Sequence, residues 1–409
     1  MKKCLLSISL LMTAVLGYSQ VSQVSVTTGK GYANQVWYNL ETGQEYSAPR
    51  NNWDLAFSVG ASRSSSIHIN SSAGINLWVY PKGKTDAWNS LDTTGISKWK
   101  PLYNSEYSWD IGAFDQTKVT SNQFDYGWGV YNMNNHQVVG DSLYVIQLQD
   151  KSFKKLWIVN LNYGTFNFKY ASLDGSDEKT TAVTQSDYSG KNFVYYSISN
   201  NKIEDREPLS ANWDLTFTTY TAFIPVPYTV SGVLSNTGLE TAQADGVSNS
   251  FTNHDETHFS DSINQIGYDW KSYSGSGYVV NEERTYFLKK QNIVWKLVFT
   301  GFEGSGTGKY SFTKEKILTT GIFSANKNSN QNLTVYPNPT SNSDVLKIKS
   351  QATGQGRIIN LQGQVLETFQ VLQNNWTTDV QINNLPKGIY TLLFEEVSGN
   401  ISTEKIIIQ

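Results

Sequence analysis

The chain is poor in the residues that most often carry chemistry. Of its 409 residues one is cysteine, three are methionine and four are histidine. The cysteine, Cys4, precedes the apolar run of the opening "MKKCLLSISLLMTAVLGYSQ". That opening reads as a secretory signal peptide over residues 1–19, with Lys2 and Lys3, an apolar stretch over 5–16, small residues at 17–19 and cleavage near Ser19 and Gln20. Cys4 leaves with it, so the mature chain has neither a disulfide nor a thiolate metal site. Charge is also scarce, with 16% charged residues and a net charge of −3, which argues against nucleic acid or an acidic membrane surface as partner. No later segment is apolar enough to span a bilayer, and no helical period of convincing length appears.

Aromatic side chains are abundant instead. They make up 13% of the chain, including 24 Tyr and 12 Trp, among Thr, Val, Asn and Gly. This is the composition of an all-β, loop-rich protein. "NNWDLAF" (51–57) recurs as "ANWDLTF" (211–217), each read as a period-two strand whose Trp, Leu and Phe form one buried face. Further pairs follow in the same order. "VWYNL" (36–40) matches "VYYSI" (194–198), "YGWGVY" (126–131) matches "YDWKSY" (268–273), and "SLYVIQL" (142–148) matches "RTYFLKK" (284–290). "KLWIVNL" and "GTFNFKY" have counterparts in "VWKLVFTGF" and "GKYSFTK". Ordered matches at nearly constant spacing indicate a duplication. The expected plan is two tandem antiparallel β domains, 20–184 and 185–323, a polar linker over 324–332, and a small C-terminal β-sandwich over 333–409.

The last segment holds Tyr336-Pro337-Asn338-Pro339, Gly356-Arg357, Leu361 with Gly363, Leu385-Pro386-Lys387-Gly388-Ile389-Tyr390 and a terminal Lys405 followed by three isoleucines. It closely resembles the type A sorting domain of the type IX secretion system. The resemblance implies recognition by that export machinery and release or anchoring at the outer surface, reached through the periplasm.

The duplicated copies resemble the HmuY-like haemophore family, secreted all-β haem-binding proteins. The resemblance rests on Trp-Asp-Leu-x-Phe, the turn Asn236-Thr237-Gly238, Tyr-x-Trp at 268–270, the tyrosine-led strand at 286–288 and the Gly-to-Tyr-x-Phe hairpin at 309–312. It implies haem iron held by two axial side chains from loops of the middle segment. The candidates are His254 and His258 of "TNHDETHFSD" with Tyr278 in the second copy, and Met133 and His136 of "YNMNNHQVV" in the first. One His with one Tyr, or a site shared between copies, are the arrangements left open. His68 of "SSIHIN" alternates with Ile67 and Ile69 and reads as ordinary strand structure on the opposite face.

Other chemistry is weaker. His254 and His258 have the spacing of a zinc-protease pair, but Asp255 stands where the Glu belongs and no helix surrounds them. "EGSGTGKYS" (303–311) lacks the first Gly and the final Ser or Thr of a phosphate loop. No nucleophile elbow or acid–base constellation stands out. The expected function is therefore a non-enzymatic, secreted or surface binding protein for haem or a related tetrapyrrole. An adhesin or glycan-binding role on the same scaffold is the alternative, with some of Trp78, Trp88, Trp99, Trp109 and Trp128 lining a cleft and the rest packing the core. A carboxylate-only hydrolase is a third reading.

Overall fold

The computed structural model describes residues 21–59, 65–254, 257–291, 293–317, 333–341, 345–350, 352–360, 364–372, 377–382, 385–397 and 401–409. The expected signal peptide, the linker and the turn carrying Leu361 and Gly363 lie outside the described residues. The fold is all-β, with strands in antiparallel sheets and only short 3-10 turns among them. The chain forms two compact units, divided at residues 318 and 319.

The first unit contains two lobes, each with its own apolar core. In the first lobe, Leu55, Phe57, Ile67, Ile69, Val194 and Tyr196 pack against Tyr144, Ile146, Phe166 and Phe168. In the second, Val36, Tyr38, Leu215 and Phe217 pack against Tyr286, Leu288, Phe299 and Phe312. Each core lies between a four-stranded sheet and a larger one, so the inward-facing residues of the central strands are buried.

The strands that build each core are not colinear with the duplication. The first lobe's small sheet runs Lys202–Glu204, Phe193–Ser197, Leu55–Ser58, Ile67–Ile69. The second lobe's runs Glu45–Pro49, Asn34–Tyr38, Leu215–Phe223, Pro227–Ser235. Tyr196 stands opposite Leu55, and Tyr38 opposite Leu215. The related phrases "VWYNL" and "VYYSI" thus take equivalent places, each beside the Trp-Asp-Leu strand of the other segment. The N-terminal strand Ser22–Thr27 pairs with Lys309–Ile317, and Lys179–Thr184 pairs with Thr165–Ser172. A division at 184/185 therefore cuts across both cores, because the first strands of the chain complete the second lobe and strands beyond 185 complete the first.

The repeated Asp fastens each exchanged strand in place. Asp54 Oδ2 accepts the amides of Ile198 at 2.7 Å and Ser199 at 3.2 Å. Asp214 Oδ2 accepts the amide of Leu40 at 2.7 Å, while Lys290 pairs with its other oxygen at 2.6 Å. Both carboxylates are buried and satisfied by the end of an exchanged strand. A second repeated pair holds the base of this arrangement. Asn70 donates to the carbonyls of Arg50 and Trp53, and Asn236 to those of Ser210 and Trp213. The first Trp departs from expectation: the strand begins at Leu55, and Trp53 turns away from the core to pack edge-on against Tyr195, ring centroids 5.0 Å apart.

The second unit is a small sandwich. A three-stranded sheet of Thr334–Tyr336, Val345–Lys349 and Thr378–Gln381 and a four-stranded sheet of Val365–Val371, Gly354–Ile359, Gly388–Glu396 and Ile401–Ile408 enclose Leu346, Ile348, Ile358, Leu392 and Ile406. Its motif residues fasten the last strand. Asn338 donates to the carbonyl of Lys405 and accepts the amide of Ile407 at 3.0 Å. Tyr390 donates its hydroxyl proton to the Pro386 carbonyl at 2.6 Å.

Candidate functional site: the cleft between the lobes

The outer faces of the two small sheets meet across a cleft. Leu55 and Phe57 point into the first core, so Ala56 points out, and His68 does the same between Ile67 and Ile69. Phe193 and Tyr195 continue that face, with Trp53 and Trp109 packed on it. The second lobe contributes residues 218–221 of its Trp-Asp-Leu strand.

Hydrogen bonds join the lobes around the cleft. Trp109 donates its indole N–H to the Ser235 carbonyl at 2.8 Å, and Ser71 and Thr221 share a hydroxyl bond of 2.8 Å. Asn192 donates to Asn236 at 2.6 Å. Arg206 donates to Gln35 at 2.7 Å and to the Pro49 carbonyl at 2.9 Å, with its guanidinium 5.0 Å from the Trp37 ring and 4.9 Å from that of Tyr195. Such a cation between aromatic faces ties the exchanged N-terminal strands to the first lobe.

Two cavities open in this cleft, of about 90 Å³ and about 410 Å³, and they share Arg50, Ser72 and Thr219. The smaller is aromatic, lined by Trp53, Trp109, Phe193 and Tyr195 with buried Glu106 and His68. Burial pushes the His68 imidazole down to about 4, so it is neutral near pH 7. Its Nε2 lies 2.8 Å from the Trp109 carbonyl, an oxygen that only accepts, so that nitrogen carries the proton. Three buried polar atoms of the wall have no protein partner: Trp53 Nε1, Thr219 Oγ1 and the Tyr220 hydroxyl. Polar groups so placed favour water or the hydroxyls of a ligand.

The larger cavity is lined by Tyr32, Tyr228, Tyr268 and Tyr278, with Arg50 and Lys271 among small hydroxyl side chains. Gly304 fixes one wall. Its φ is +65°, and a Cβ there would stand 2.8 Å from the Tyr278 ring, so glycine allows both the turn and the packing. Lys271 donates to the carbonyls of Ser231 at 2.7 Å and Tyr268 at 3.1 Å. Desolvation lowers its ammonium to about 7.

The residues singled out from the sequence as haem ligands fall in separate places. Met133 and His136 sit at the tip joining Gly129–Asn132 to Gln137–Gly140, where Tyr131 and His136 Nδ1 are hydrogen-bonded at 2.8 Å. His254 packs against Phe259 and Phe287 on the outer face of the second lobe's large sheet, and His258 is exposed. Tyr278 alone lines a cleft cavity. The five are therefore not brought together as one pair of axial ligands. Among the described residues no group of three or more His, Cys, Asp or Glu side chains converges as a metal site. Of the tryptophans, Trp128 is core and Trp88 is buried beneath Lys169, 4.2 Å from its ring, while Trp109 lines the cleft. His68, read from sequence as plain strand structure, also faces the cleft; its alternation gave the face but not what lay opposite.

Comparison with known proteins identifies the second unit. Residues 334–409 match the family described as the secretion system C-terminal sorting domain. The chain is thus a type IX secretion cargo, secreted or held at the outer-membrane surface. Among the described residues no helix is long and apolar enough to cross a membrane. No curated protein matches the chain significantly. Among solved structures, dimeric latent PorU from Porphyromonas gingivalis is similar at 10% identity with a TM-score of 0.14. The alignment spans 92% of this chain and 34% of that one, a likeness too slight to carry an argument.

Proposed function

We propose that this exported protein is a non-enzymatic binding protein that takes a glycan in the cleft between its lobes. The observation that carries this reading is the cleft itself, where aromatic faces stand beside unpartnered buried polar groups around two neighbouring cavities. Aromatic rings bind the apolar faces of sugars, and oriented donors and hydroxyls bind their oxygens. The strand exchange supports the same reading, because it holds both walls in one compact unit.

Haem capture keeps one observation in its favour: Tyr278, a phenol able to ligate ferric iron, lines the larger cavity. A glycan array probed with the full mature chain, alongside a ferric haem titration, separates the two. The glycan reading expects saturable hits that are lost in Thr219→Trp, which crowds the wall common to both cavities. An empty array, with a saturable Soret shift abolished by Tyr278→Phe, would overturn it in favour of haem.

A further inference from the structure

We infer that the larger cavity seats the acidic group of its sugar ligand, with Lys271 and Arg50 as the cationic partners. The inference rests on the glycan reading and specifies the class of sugar.

Among the described residues, the cavity wall contains two cations and no Asp or Glu. Neither cation is paired with a carboxylate among the described residues. Arg50 donates Nε to the Tyr32 carbonyl at 2.9 Å and Nη1 to that of Ser72 at 2.8 Å, so its position is fixed by neutral acceptors. Lys271 is held by the two carbonyls described above, with its ammonium 4.5 Å from the Trp270 ring and 4.6 Å from that of Phe302. The nearest acid in sequence, Asp269, is engaged by Arg284 at 3.0 Å. Asp269 also acts on Lys271 as a charge, but desolvation outweighs it and the ammonium is lowered, so an anionic ligand at the cavity would offset a cost that Asp269 leaves in place.

The surrounding groups suit such an anion. Thr219, only 8% exposed, belongs to the wall of both cavities, and its hydroxyl is without a protein partner. Burial raises the Tyr32 phenol above its ordinary value, and its hydroxyl lies against Ser231 and Tyr278. An Arg fixed by its own neighbours presents its remaining nitrogen as a directed donor to an oxyanion, while Lys adds a compact charge. The exposed rings of Tyr228 and Tyr278 offer stacking faces for the sugar beyond it.

The test uses the full mature chain and three sets of oligosaccharides of equal length: uronate-containing, sulfated and neutral. Titration calorimetry is run for wild type, Lys271→Met and Arg50→Gln. Lys271→Met keeps an unbranched side chain of similar length without the charge and serves as the variant least disturbing to the fold. Each variant is expected to weaken the acidic ligand about tenfold and to weaken it more than any neutral ligand, as loss of a charge-assisted bond requires. Binding confined to the uronate or to the sulfated set supports the inference and names the acid. Neutral and acidic sugars binding alike, with both variants like wild type, would overturn the acidic group but leave the glycan reading intact. Failure of all three sets would overturn both.

Discussion

Glu207 is nearly sealed from solvent, its two oxygens accepting the Tyr195 hydroxyl at 2.8 Å and the Asn192 amide at 3.1 Å. Burial pushes its carboxyl up to about 7. A carboxyl raised on folding binds its proton more tightly in the native state, so its stabilising contribution is complete below the unfolded value near 4.5 and is lost as pH rises toward 7. Glu207→Gln, neutral at every pH, should remove roughly 2–3 kcal/mol of the stability loss between pH 4.5 and 7.5. Urea midpoints at the two pH values check this, and identical pH dependence in both proteins would refute it. Lys271 runs with the opposite chemistry. Its ammonium is lowered to about 7, and the groups facing it are Asp269, Arg50 and the tyrosines 32, 268 and 278. An acidic ligand needs the charged form, so affinity should fall about tenfold from pH 6 to pH 8, and Lys271→Met should flatten that profile. At this scale the sequence showed which residues repeat but not what they touch. Asp54 and Asp214 were visible as a pair, yet their partners Ile198 and Leu40 lie more than a hundred residues away, and only the strand pairing brings them together.

Strands and sheets were the most legible level, because alternation of apolar residues reports burial directly. The all-β class and the equivalence of the repeated phrases both follow from it. Which copy of a strand joins which sheet does not, since "VWYNL" and "VYYSI" offer the same buried faces to either Trp-Asp-Leu partner. The exchange has a measurable consequence. The colinear segment 185–317 lacks Ser22–Thr27 and Asn34–Tyr38, whose Val26, Val36 and Tyr38 fill the second core. It should remain unfolded alone, and adding residues 21–49, in trans or through a linker after 317, should restore dispersed amide resonances. Asp54→Ala strips the buried Ile198 amide and the part-buried Ser199 amide of their acceptor and should destabilise the first lobe by roughly 1–3 kcal/mol, read as a lowered urea midpoint.

At the scale of the whole molecule, the address was legible and the cargo's task was less so. The sorting unit is written in contiguous phrases, and those phrases fasten its last strand through Asn338 and Tyr390. Deleting residues 334–409 should leave the protein in the periplasm, as cell fractionation would show. The candidate site was hidden because its walls come from both lobes and are neutral by ordinary pattern: Ala56, His68 and Thr219 are unremarkable in sequence and matter only where two outer faces meet. The histidines and methionine that drew attention lie elsewhere, scarcity in composition being no guide to convergence in space.

The most direct test of ligand capture between the lobes is hydrogen exchange of the full mature chain with and without a glycan hit. Capture in the cleft predicts added protection in residues 50–56, 68–72, 104–109, 218–221 and 268–278, segments that contribute to the wall of one cavity or the other. Protection confined to the loop around His254 and His258, or to the hairpin tip bearing Met133 and His136, would contradict it.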